Sequence, residues 1–116
     1  MYKVKLSNVL SRYKIIYCLV INLDNNSIKT FGNKDDLAYD GLLKTHFYDI
    51  DTIYNLNSFL EGQQLPKLFK QGEVLCIICK PKSNIIVGLL YHEKRDFIQY
   101  YKVAKEINEE IISIWN

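Results

Sequence analysis

The sequence predicts a single α+β domain spanning residues 1–116: an antiparallel sheet of about five strands, a helical segment between two hairpins, and a long C-terminal amphipathic helix. Three observations predict it. Residues 73–91 hold two apolar runs around the turn formers Pro81, Lys82, Ser83 and Asn84. Residues 15–23 form a third apolar run, ending in the turn Asp24, Asn25, Asn26 and Ser27. From Phe97 to Trp115, apolar residues return every three or four positions.

In chain order, residues 3–12 place Val4, Leu6, Val9 and Leu10 for a short amphipathic helix or an irregular lead-in. A helix of that length is marginal by itself. Residues 15–23 are rich in β-branched side chains and short, which favours a strand buried on both faces. Residues 28–31 return as its hairpin partner, closed by Gly32. Asn33 is a capping residue, and Asp35 and Asp36 suit a helix N-terminus. One interrupted helix, or two, is expected over residues 35–60, because Gly41 and the polar stretch 48–57 weaken propensity. Gly62 is a natural helix end, and Pro66 cannot continue one. Residues 67–70 read as a short edge strand, followed by a turn at Gln71 and Gly72 and then by the central hairpin. Asp96 and Gln99 have capping-box spacing, which starts the last helix. Strands that are apolar on both faces need a layer on each side. Helices supply one, and the second is either the broken helical segment or another copy of the chain.

Bulk composition excludes several functions. The net charge of +2 is far from the basic patch of a dedicated nucleic-acid binder. Small basic clusters occur at Lys3, Lys5, Arg12 and Lys14, and again at Lys94 and Arg95. The strands carry Ile, Leu, Val and Cys rather than the exposed aromatics on which bases stack. No nucleic-acid partner is therefore expected. No apolar run approaches the ~20 residues of a membrane helix, so no membrane partner is expected. Three cysteines and no export signal point to reduced thiols and a cytoplasmic protein.

Chemical motifs fare poorly. Cys76 and Cys79 match C-x-x-C, but residues three apart in a strand point to opposite faces. On one helix, His46 and Asp49 would lie a turn apart and share a metal; two ligands make no site. His92 and Glu93 fit a polar strand–helix junction. There is no G-x-S-x-G elbow, no G-x-G-x-x-G and no Walker-type loop. No catalytic, cofactor or metal residue is predicted, and no enzyme. Gly88 sits inside a strand, where glycine marks a close approach by a crossing helix or a partner chain. With Tyr100, Tyr101 and Trp115 of the last helix it makes up the expected interface.

The order of these elements resembles the roadblock-type fold of dynein light chains and bacterial GTPase-regulating proteins, related in shape to profilin and longin domains. The matching stretches are residues 15–31, 35–60 and 73–91 with the final helix. The resemblance implies a non-catalytic regulator or scaffold, usually a homodimer paired across a sheet edge and helix. The other readings are a profilin-like or PAS-like sensor with an apolar ligand pocket, and an immunity protein that neutralises a toxin.

Overall fold

In the computed structural model, residues 2–116 are described. They form α1 (Tyr2–Arg12), β1 (Tyr17–Asn22), β2 (Ser27–Gly32), α2 (Gly41–His46), α3 (Ile50–Leu60), β3 (Lys67–Gln71), β4 (Val74–Lys82), β5 (Ile85–His92) and α4 (Phe97–Trp115). The five strands make one sheet in the order β2-β1-β5-β4-β3, every neighbour antiparallel. The fold class matches expectation. The three strands that read as apolar runs hold the three central positions, and the shorter, more polar β2 and β3 take the edges. Only a central strand is covered on both faces and paired on both sides, so apolar content sets the order.

Period-two alternation divides the core. Leu75, Ile77 and Cys79 of β4, with Val87, Leu89 and Tyr91 of β5, meet Leu6 and Val9 of α1 and Ala104, Ile107 and Ile111 of α4. Val74, Cys76 and Ile78, with Ile86 and Leu90, meet Phe47 and the α3 residues Ile53, Leu56 and Leu60. The chain therefore covers both faces of its own sheet. The expectation that a second copy is one way to cover a face is corrected: the broken helical segment fills that role.

The segment forms two helices, one of the two expected outcomes, but the first begins later than residue 35. Asn33 accepts from the Asp35 amide, but caps only a 3-10 turn over Lys34–Asp36. α2 starts later, and Asp49 opens α3 with a capping box to Thr52. Gly62 follows α3 at φ 73°, where its missing Cβ removes the strain. The central turn is also tighter than predicted. β4 runs on through Pro81 to Lys82, with a bulge between Cys79 and Lys82, and only Ser83 and Asn84 turn. A bulge is one of the few places a strand tolerates proline, which has no N–H to donate. The capping box at Asp96 and Gln99 is present. No helix among the described residues is long and apolar enough to cross a membrane.

Candidate interaction surface

The residues with chemical potential are dispersed. Cys76 and Cys79 are fully buried on opposite faces of β4, and Cys18 is buried on β1. Burial pushes the Cys18 thiol up to about 12. Burial raises Cys76 and Cys79 as well, with their neighbouring thiols adding to it. Such thiols stay protonated and are poor nucleophiles. His46 ends α2 and Asp49 caps α3, so the one-turn spacing on a single helix does not exist. His46 packs on the ring of Phe69 instead, centroids 4.2 Å apart, and burial lowers its pKa. His92 accepts a hydrogen bond at Nε2 from the Ala38 amide, 3.0 Å, which ties the loop before α2 to the end of β5.

The predicted interface residues do not form one patch. Gly88 is buried in β5. A Cβ there would lie 2.8 Å from Cζ of Phe47. The close approach inferred from the sequence is real, but the neighbour is a side chain of the same molecule, neither a crossing helix nor a partner chain. The same ring covers Gly88, so it faces no open surface. Trp115 is half-buried and stacks on Tyr2 at 5.0 Å, seating α1 on α4. Tyr100 and Tyr101 are half-buried at the start of α4, where Phe97 stacks on Tyr101 at 5.5 Å and meets Tyr100 edge-on at 5.4 Å. Phe97 and Ile98 beside them are 59% and 69% exposed.

The surface that stands out is the β3 edge. β3 pairs only with β4, so its other side presents unpaired backbone groups. Its side chains alternate: Phe69 packs toward α2 and α3, Leu68 toward α4. Behind Phe69, Thr45, His46, Thr52, Asn55, Leu56 and Phe59 line a shallow apolar groove of about 220 Å3. On the other face Lys70 lies over the ring of Tyr100, 5.6 Å from its centroid, and on the first face Lys67 lies over Phe59 at 5.3 Å. Both ammonium groups are drawn off the strand edge onto rings. Sequence reading placed an edge strand here but missed its aromatic flanks, because Phe59 and Tyr100 are remote in the chain from Phe69.

Glu93 was also missed as more than a junction residue. Its side chain is 2% exposed. Oε1 accepts from the backbone amide and Nε of Arg95, each at 2.9 Å, and Oε2 accepts from Arg95 Nη2 at 2.8 Å and from the Tyr91 hydroxyl at 2.9 Å. Burial acts to raise its pKa, but the Arg95 and Tyr91 hydrogen bonds outweigh it and hold the carboxyl at about 2. A buried charge persists only with such partners. The alternation Tyr91, Glu93, Arg95 was the available signal.

Comparison with known proteins gives the fold its relatives. No family model and no curated protein matches the chain. Among solved structures, MglC from Myxococcus xanthus is similar, with a TM-score of 0.59, 16% identity and 97% of each chain covered. Myxococcus xanthus MglB is similar with a TM-score of 0.55 and 7% identity, covering 93% of this chain and 89% of that one. At such identity the likeness speaks to the fold, which is the roadblock type.

Proposed function

We propose that the chain is a non-catalytic protein-interaction module with a regulatory role that acts as a homodimer joined through β3. The observation that carries this reading is the β3 edge: a strand paired on one side only, with aromatic side chains beside it on both faces of the sheet. Strand addition supplies backbone hydrogen bonds, and flanking apolar groups supply area. The dispersed, protonated thiols and the isolated histidines support the absence of catalysis.

The register of such a pair follows from alternation and charge. A symmetric antiparallel pair keeps like faces together only when its two-fold axis passes through a residue position. An axis at Phe69 sets Phe69 against its copy, Lys67 against Gln71 and Leu68 against Lys70. An axis at Lys70 opposes two lysines directly, which is unfavourable. An axis at Leu68 sets Lys70 against Pro66, which has no N–H to give. Phe69 is the favoured centre.

The ligand-sensor reading is weaker, because the apolar groove of about 220 Å3 falls below the ~300–1,000 Å3 of small-molecule pockets, and the larger cleft of about 500 Å3 at the end of α1 is open and lined largely by charged side chains. Light scattering coupled to gel filtration tests the proposal. The expected mass is twice the 13.7 kDa of one chain. A mass of one chain at micromolar concentration refutes the dimer.

A further inference from the structure

Lys14 ends α1 in the left-handed conformation, at φ 57°. The Ile15 amide donates to the Leu10 carbonyl at 2.9 Å, and the Lys14 amide to the Ser11 carbonyl at 3.3 Å. This pair of bonds closes a helix around a position where glycine is the usual residue, because a Cβ is strained there. A lysine at that position keeps a side chain that the local backbone disfavours, and such strain concentrates at functional sites.

Lys14 belongs to the rim of a cleft of about 500 Å3 between the end of α1 and the β5–α4 corner. Arg12, Lys14, Lys94 and Arg95 line it, so the end of the first basic cluster meets the second in space, while Lys3 and Lys5 lie outside the cleft. The acids that touch the cleft's cations are engaged, and the unpaired Glu106 and Glu109 line a separate pocket beyond Tyr13. Glu93 is buried under Arg95, Glu110 accepts from Arg12 and Tyr13, and Glu73 lies 3.8 Å from Lys94. Lys14 has no ion-pair partner among the described residues. Arg95 is held by three donor bonds to Glu93, and Nη1 takes no part in that grip. Its guanidinium is thus fixed in place with donors to spare.

α4 breaks a second local rule at the same corner. Beyond its Asp96 cap it has no acid in its first turn and no base in its last. Lys102 and Lys105 precede Glu106, Glu109 and Glu110, the reverse of what the helix dipole favours. Lys102, Lys105, Glu106 and Glu109 form no ion pairs among the described residues, despite their four-residue spacing. Exposed Phe97 and Ile98 sit at the basic end.

We propose that this corner docks an acidic segment of a partner protein, with its carboxylates between Lys14, Lys94 and Arg95 and its apolar side chains on Phe97 and Ile98. Charge complementarity selects the occupant: the cleft lining holds four cations and one buried, satisfied acid. The site shares no residue with the β3 edge, so it goes beyond the dimer proposed above.

The test is fluorescence anisotropy with a fluorescein-labelled peptide of repeating Asp-Glu-Leu. The native chain is expected to bind it, more weakly as salt rises. Lys14→Gly suits the backbone and keeps the fold, yet should weaken binding about tenfold, as Lys94→Glu should. Lys29→Glu on β2 changes the net charge as much as Lys94→Glu and should leave affinity unchanged. Phe69→Glu, which breaks the proposed dimer, should leave it unchanged too, so the two proposals fail separately. No binding by the native chain overturns the inference, as does a Lys14→Gly chain that binds like the native one. Equal weakening by Lys29→Glu reduces the effect to bulk charge and overturns it. Binding to phosphatidylserine vesicles without binding to the peptide gives the surface to a membrane. A loss of mass in light scattering on Lys94→Glu gives it to a second copy of the chain.

Discussion

β2 and β3 are the two edges of one sheet, each with a single strand neighbour, and they are built differently. β2 is mostly exposed, with Ile28, Lys29 and Thr30 all open to solvent. β3 is half-buried along its first three residues, between the groove under Phe59 and His46 on one face and Tyr100 on the other. The difference does not lie in backbone hydrogen bonding, since both edges offer unpaired groups. It lies in what the helical layers do. α2 packs on β3 and α4 on β4, so aromatic side chains gather beside β3. An edge strand becomes adhesive when apolar area accompanies its free backbone groups, and stays inert when polar side chains surround them.

Matched substitutions give the sharpest test of this contrast. Phe69 and Thr30 both point to the face covered by α2 and α3, as their register partners Cys76 and Leu19 show. Phe69→Glu should weaken the proposed dimer at least about a hundredfold, on the scale of a central hot-spot residue. Thr30→Glu should leave it unchanged. Analytical ultracentrifugation reads both, and an equal loss from the two variants would erase the distinction between the edges.

A smaller effect probes how the helical layer covers β5. Gly88→Ala inserts a methyl 2.8 Å from the Phe47 ring and should destabilise the fold by about 1–3 kcal/mol in urea unfolding. Phe47→Leu in the same chain should recover part of that loss, because the smaller side chain makes room. A Gly88→Ala variant as stable as the native chain would mean the Phe47 ring can move freely on β5.

The smallest effect concerns pH. Burial lowers the His46 pKa, so the native fold prefers the neutral ring. Stability from this group is complete above the unfolded value of 6.5 and declines as pH falls below it, levelling off under the lowered folded value. Because His46 packs on Phe69, dissociation of the proposed dimer should increase severalfold between pH 8 and pH 5.5, and His46→Phe should flatten the profile. A native profile already flat would separate His46 from the β3 interface.

The division between legible and hidden features follows from range. Alternation in residues 73–91, the capping box at Asp96 and Gln99, and the three-and-four spacing of α4 were enough for the sheet centre and the last helix. The close approach at Gly88 was legible as a missing side chain; its cause was not, since Phe47 lies far away in the chain. The interface candidates Tyr100, Tyr101 and Trp115 came from residue type, and their separate surroundings depend on what α1 and β3 bring beside them.

The sequence by itself determined the class of fold and the central strands. These are local properties, carried by hydrophobic period and by neighbours in the chain. Tertiary structure alone decided that both sheet faces are covered within one molecule and that β3 rather than β2 has aromatic flanks. It also decided that Lys14, Lys94 and Arg95 share one cleft. Each of these depends on contacts between segments remote in sequence, where packing geometry and not residue order selects the neighbour.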